Sequence, residues 1–278
     1  MNIGIRLHDT RPGTLRERLH YAKEQGFSCA HIALSKALDD FSMADAPHLL
    51  TDEKAQSILN DLKAENMDCA VLGCYLNLAD PDDDSRKRTQ EIYRAHLRFA
   101  PRIHAGVVGT ESPANPLSRF ERPCYESEEA FRLFMDSLRV VVRYAEEADA
   151  LRAVEPVWSH IVSTPERAQR MLDEIRSDHL MIILDAINLI SPMDARDPYP
   201  LLEEAMRRLG DRVRVMHMKD YTIRDGKMVS GACGTGVMCY ETLLRFAREH
   251  DLPMTLEDTN PDNAEQARKT LEQIAAML

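Results

Sequence analysis

Eight short apolar runs recur along the chain, and each is followed by a longer, charge-rich stretch with helical periodicity. Strand then amphipathic helix, repeated without interruption, buries its apolar faces in few ways, chiefly a parallel sheet covered by helices. The strand candidates are residues 2–7, 29–34, 68–75, 105–111, 151–157, 181–186, 213–219 and 254–257. Helices are expected near 14–25, 51–66, 85–100, 127–149, 165–176, 198–209, 240–250 and 262–277. Eight such units in 278 residues match a closed α/β architecture, the (β/α)8 or TIM barrel, with a packed parallel interior and an outer ring of helices. No linker or change of composition divides the chain, so residues 1–278 are expected to form a single TIM-barrel domain.

Local signals agree with this alternation. Thr51 precedes Asp52 and Glu53, Ser127 precedes Glu128 and Glu129, and Thr164 precedes Pro165 and Glu166. Each is a hydroxyl able to cap the first free N–H groups of a helix, with acids in the first turn. Between residues 112 and 126, Pro113, Asn115, Pro116 and Pro123 rule out a continuing helix. A long loop is expected there, after the fourth strand and on the face where barrels carry their sites.

Composition narrows the partners. The hydrophobic fraction of 44% and the charged fraction of 29% are those of an ordinary globular protein. No apolar run reaches the roughly 20 residues a bilayer requires, and no basic-then-apolar leader opens the sequence, so a cytoplasmic protein without a membrane partner is expected. A net charge of −11 opposes a phosphate backbone, which excludes nucleic acid and favours a small molecule. Homo-oligomerisation is left open. The six cysteines, Cys29, Cys69, Cys74, Cys124, Cys233 and Cys239, form no CxxC pair and are expected as reduced structural thiols.

In a (β/α)8 barrel the residues at the C-terminal ends of the strands face the site. Here those ends offer His8 and Asp9, Tyr75 and Asn77, Glu111, Glu155, Asp185, His217 with Lys219, and Glu257. Residues two apart share a strand face, so Glu155 stands above Ala153, Asp185 above Ile183, His217 above Val215 and Glu257 above Thr255. Four successive strands thus each present one donor to the barrel mouth. Three carboxylates and one imidazole suit a hard or borderline divalent ion, Mn2+ before Mg2+, Co2+ or Zn2+. Such an ion would also neutralise acids that otherwise repel one another.

The segments AVEPVWSH (153–160), ILDAINL (183–189), VMHMKDY (215–221), GTG (234–236) and TLEDT (255–259) resemble the xylose-isomerase-like barrel superfamily, which includes sugar isomerases, ketose 3-epimerases and AP endonucleases. The resemblance implies that Glu155, Asp185, His217 and Glu257 bind the metal, that Glu155 and Glu257 also act as the acid/base pair, and that the substrate is a sugar or sugar derivative. Where many members have His three positions after the metal-binding Asp, this chain has Asn188, which can hydrogen-bond a hydroxyl but carries no proton. That departure, and the absence of a His beside Asp220 or Asp225, argue against a trinuclear endonuclease site.

Around this set, Lys219, Glu111, His8, Tyr75 and Trp158 are expected to line the substrate pocket with Asn188. Lys36 and Arg224 are cations available to a phosphate, although no Gly-rich phosphate cradle is present. Gly234 and Gly236 lack the remaining spacing of a dinucleotide fingerprint and are expected in a tight loop after the seventh strand. The reaction implied is proton transfer next to a carbonyl through an enediolate, giving epimerisation or isomerisation. The rival readings are a lyase or dehydratase on a sugar-derived carbonyl compound, and a sugar-binding barrel without turnover.

Overall fold

The computed structural model of the chain describes residues 1–114 and 127–278. Eight parallel strands close into a barrel: β1 (Ile3–Arg6), β2 (Cys29–Ile32), β3 (Asp68–Gly73), β4 (Val107–Glu111), β5 (Arg152–Glu155), β6 (Leu180–Asp185), β7 (Val213–Met218) and, after a hairpin of β8 (Asp220–Arg224) and β9 (Lys227–Gly231), β10 (Met254–Leu256). The sheet closes where β1 pairs with β10, Ile3 opposite Met254 and Ile5 opposite Leu256. All eight strand candidates are therefore present, in sequential order around the barrel. The eight expected helices are present as Leu15–Glu24, Asp52–Glu65, Asp83–Phe99, Glu128–Glu147, Pro165–Ile175, Tyr199–Leu209, Glu241–Glu249 and Ala264–Ala276.

The three proposed caps form. Thr51, Ser127 and Thr164 accept from the backbone N–H groups of Lys54, Ala130 and Arg167, each at 3.2 Å. The helix expected from residue 85 begins two residues earlier, because Asp82 accepts from Ser85 N at 2.6 Å and sets the first turn. From residue 115 the long loop expected over 112–126 lies outside the described residues, as does Cys124. The remaining five cysteines are free, and burial pushes the Cys29 and Cys74 thiols up to about 12, which leaves them protonated and inert. Among the described residues no helix is long and apolar enough to cross a membrane.

Inside the barrel, Cys29, Val71, Val107, Ala153, Ile183 and Val215 pack into one apolar layer. Ala153, Ile183 and Val215 are the residues that strand alternation places beneath Glu155, Asp185 and His217, so the pattern read from sequence holds. Gly109 belongs to this interior for want of space, since a Cβ there would lie 2.4 Å from Ile183 Cδ1.

The β8–β9 hairpin is absent from the sequence-based element list. Its turn is Asp225-Gly226, both with positive φ (50° and 74°), joining Arg224 and its pair Lys227. An Asp-Gly pair is the common signal for a two-residue turn of this kind, and the short flanking strands, exposed over much of their length, gave it no apolar frame.

Candidate metal centre

The strand register delivers the four expected donors to one end of the barrel. Glu155 and Asp185 are the last residues of β5 and β6, His217 is paired in register with Asp185 and with Thr255, and Glu257 follows β10 directly. All four are buried, none more than 4% exposed. His217 Nδ1 lies 2.9 Å from Glu155 Oε2, 3.3 Å from Glu257 Oε1 and 4.0 Å from Asp185 Oδ2. Neither ring nitrogen reaches hydrogen-bonding geometry with any partner. Asp185 spends Oδ1 on the backbone N–H groups of Ile187 (2.9 Å) and Asn188 (3.0 Å), while Oδ2 turns inward, 3.0 Å from the Lys219 ammonium.

Charge is distributed unevenly between the two glutamates. Burial pushes the Glu155 carboxyl up, and with only His217 opposing it strongly it settles near 7. Glu257 is equally buried, but His217, His31, Lys219 and Arg6 together hold it well below the usual carboxylate range. Burial works against the His217 imidazolium, and the charges of Glu257 and Glu155 outweigh it, raising the ring to about 9. One acid is poised to hold a proton and the other to stay ionised.

These atoms suit a divalent cation. Donor atoms of Glu155, Asp185 and His217 lie within 4.8 Å of one another, and so do those of His31, His217 and Glu257, the two triads sharing His217. Buried imidazole nitrogens of His217 and His31 without hydrogen-bond partners, set among three carboxylates, fit a site for a hard or borderline ion.

The other expected residues surround this centre at different distances. Asn188 Nδ2 donates to Glu155 Oε1 at 2.5 Å, and its Oδ1 accepts from Lys219 Nζ at 3.3 Å. Lys219 Nζ also sits 3.0 Å from both Asp185 Oδ2 and Glu257 Oε2. Tyr75 reaches the centre through His31, with its hydroxyl 3.0 Å from Nε2. Glu111, paired in register with Glu155, accepts from Thr110 Oγ1 at 2.6 Å and lines a cleft of about 230 Å³ with Tyr75, Asn77 and His160. His8 has a buried Nδ1 without a partner, and burial together with the nearby Arg6 and Lys36 charges holds its ring down at about 3. Trp158 stands further out. Its backbone N–H donates to Asn188 O at 2.9 Å, and it lines a separate cavity of about 550 Å³ with Leu189, Pro192, Met193 and Leu201. Lys36 lies over the Tyr75 ring at 4.4 Å, whereas Arg224 is exposed on the hairpin.

A model of the family described as the xylose isomerase-like TIM barrel matches residues 19–277. The chain belongs to that family. No curated protein matches the sequence. Among solved structures, it is similar to the 3-keto-D-glucoside 4-epimerase YcjR from E. coli, at 18% identity and a TM-score of 0.75 over 98% of this chain and 99% of that one. It is similar to the IOLI protein, solved with a bound zinc atom, at 16% identity and a TM-score of 0.72 over 100% and 97% of the two chains. It is also similar to the probable 3-DHS dehydratase AsbF from Bacillus anthracis, at 14% identity and a TM-score of 0.73 over 99% of each chain. At these identities the likeness establishes a shared fold.

Within this xylose isomerase-like barrel, three residues close to the centre escape the sequence reading. Arg6 ends β1 and places Nη1 3.2 Å from Glu257 Oε2. His31, on β2, is 1% exposed, with Nδ1 3.5 Å from Glu257 Oε1. Both lie inside strand candidates, one or more residues short of the expected ends; the available signal for His31 was that it shares a face with inward-pointing Cys29. The third is Asp220, a buried acid whose carboxylate accepts from the N–H groups of Tyr221 (2.8 Å), Met238 (2.9 Å), Gly234 (3.0 Å) and Gly236 (2.9 Å). This accounts for the GTG segment as a tight loop. A Cβ on Gly236 would lie 2.0 Å from Tyr221 O, so only glycine lets the backbone close around the carboxylate. Tyr240 Oη, donating to Lys219 O at 3.1 Å, fixes the residue that carries the ammonium into the site.

Proposed function

We propose that this chain is a divalent-metal-dependent enzyme that moves a proton on the carbon beside a carbonyl of a sugar or sugar derivative, with epimerisation or isomerisation as the outcome. The observation that carries the reading is the placement of two buried glutamates on either side of His217, whose Nδ1 lies 2.9 Å from Glu155 Oε2 and 3.3 Å from Glu257 Oε1. Proton abstraction and return ask for two carboxyl groups at one centre. Glu155, Asp185, His217 and Glu257 would hold the ion, Mn2+ first, with Mg2+, Co2+ and Zn2+ as alternatives. When bound, the ion supplies fixed positive charge where negative charge develops on the substrate oxygens.

The chain's own residues do the rest. Glu257, kept ionised by its cations, takes the carbon-bound proton; Glu155, near neutrality in its proton affinity, returns one from the other side. Asn188 fixes the orientation of Glu155 through its amide, and Lys219 offers an ammonium to a substrate oxygen. Tyr75, Glu111 and His8 are proposed to contact the distal hydroxyls, with Trp158 bounding the pocket from the loop after β5, tied to Asn188 O by its backbone N–H. The fold similarity to an epimerase supports this reading, and the similarity to a dehydratase supports a second one, in which the same base begins an elimination. We further infer a single domain over 1–278, a cytoplasmic setting and a small-molecule partner, with nucleic acid excluded by the net charge of −11.

The test is exchange of a substrate carbon-bound proton with solvent deuterium, followed by NMR over ketoses, aldoses, their phosphates and keto-glycosides with Mn2+-loaded protein. Metal-dependent exchange is expected. Tight sugar binding with no exchange across the panel would replace the enzyme by a binding protein, and loss of water from the substrate would favour the lyase.

A further inference from the structure

The Glu257 carboxylate is divided between two tasks. Its Oε2 faces two cations, Lys219 Nζ at 3.0 Å and Arg6 Nη1 at 3.2 Å. Its Oε1 faces two imidazole nitrogens that have no hydrogen-bond partner, His217 Nδ1 at 3.3 Å and His31 Nδ1 at 3.5 Å. A free carboxylate can rotate and exchange its oxygens. This one is held so that Oε1 alone looks toward the cation site.

Lys219 cannot fix that orientation alone, because its ammonium is shared with Asp185 Oδ2 at the same 3.0 Å and an ammonium has no preferred plane. Arg6 has the rigidity that Lys219 lacks. Its Nε donates to both oxygens of Asp9 at 3.2 Å, and its Nη2 lies 3.4 Å from Asp258 Oδ1. Asp9 in turn accepts from Thr259 N and Oγ1 at 3.4 Å, and Asp258 accepts from Ser230 Oγ on β9. The guanidinium is therefore braced on both sides of Glu257 by the loop after β1, the loop after β10 and the hairpin.

We propose that Arg6 is a positioning residue for Glu257, holding Oε2 so that Oε1 is presented to the divalent ion, with Asp9 and Asp258 as its braces. The proposal rests on the metal reading of this site. It makes an unusual demand on sign. A guanidinium beside a cation site repels the cation, so if Arg6 acted only through its charge, removing it would tighten metal binding. If Arg6 positions a ligand, removing it weakens binding, as loss of groups that orient metal ligands does by about 10- to 100-fold.

Calorimetric titration with Mn2+, repeated with Co2+ and Zn2+ if wild type does not bind it, separates the two, using the full chain and the variants Arg6→Met, Arg6→Gln, Arg6→Lys and Glu257→Gln, with metal-free melting temperatures alongside. The expected result is that Arg6→Met and Arg6→Gln weaken Mn2+ binding at least about tenfold, and that Arg6→Lys, which keeps the charge but not the fork, falls between them and wild type. If Arg6→Met fails to fold, the Gln and Lys variants carry the comparison. Unchanged or tighter binding in the neutral variants, with Glu257→Gln weakened, overturns the positioning role and leaves the metal site standing. Absence of Mn2+, Co2+ and Zn2+ binding by wild type overturns the metal site and this inference with it.

Discussion

The side-chain amide of Asn188 donates to Glu155 Oε1 at 2.5 Å, which ties a residue just after β6 to one of the two glutamates proposed for proton transfer. Asn188 is thus an orienting group for Glu155 as well as a candidate contact for substrate. Asn188→Ala is expected to slow metal-dependent deuterium exchange about tenfold or more, chiefly in the turnover number. A change confined to substrate affinity would return Asn188 to a purely binding role.

Glu155→Gln and Glu257→Gln should each lower the exchange rate by at least about 10²-fold, the usual contribution of a positioned acid or base. The two differ in a second readout. Glu257→Gln strips the counter-charge from Arg6 and Lys219, whereas Glu155→Gln removes a carboxyl already near 7. Thermal melting of the metal-free variants at pH 7 should therefore show the larger loss for Glu257→Gln. Near-native exchange in either variant rules out the two-glutamate scheme.

His217→Ala is expected to weaken Mn2+ binding and also to destabilise the metal-free protein. The imidazole, raised to about 9, is protonated at neutral pH and sits among Glu155, Glu257 and Asp185. Removing one partner of a buried ion cluster typically costs roughly 3–5 kcal/mol, because the remaining charges stay buried. Urea unfolding of the metal-free variant at pH 7 measures this. A urea unfolding curve superimposable on wild type would show that the acids are protonated or hydrated instead.

The element order, both edges of most helices and the convergence of Glu155, Asp185, His217 and Glu257 were legible because each depends on a periodicity or on a residue at a strand end. Arg6 and His31 were not, since both fall short of their strand ends, and strand alternation, which turns His31 inward with Cys29, does not say that either side chain meets Glu257. Asp220 was hidden differently. Its four backbone partners include Gly234, Gly236 and Met238, and only the folded loop brings those N–H groups to one carboxylate.

Acid should destabilise the protein through His96, which is fully buried, donates from Nδ1 to Ile92 O (2.9 Å) and has no hydrogen-bond partner for Nε2. Burial holds its folded pKa down at about 4 against 6.5 in the unfolded chain. The unfolded state then binds the extra proton between those values, so this contribution is complete above pH 6.5 and is lost as pH falls toward 4, by about 3 kcal/mol in all. His96→Leu should flatten the dependence of urea midpoints on pH between 6.5 and 4.5. An unchanged slope would assign acid sensitivity to other groups.

Gly109→Ala should cost about 1–3 kcal/mol by overpacking against Ile183 Cδ1, and Ile183→Val about 0.5–1.5 kcal/mol by removing that methyl. The double variant should be more stable than the sum of the two changes predicts, since valine vacates the space the new methyl needs. Strict additivity in chemical denaturation would mean that the backbone shifts to absorb the clash.

Pairing of β1 with β10 has a consequence for synthesis of the chain. Arg6 and Glu257 are separated by 251 positions, so the first strand emerges from the ribosome long before its partner exists. Until β10 arrives, a nascent chain that has completed β7 carries two open strand edges, one on β1 and one on β7. Exposed edges invite pairing with other chains. Both edges close only when residues 254–256 pair with β1 and β7, and the strand that closes them also delivers Glu257 to the centre.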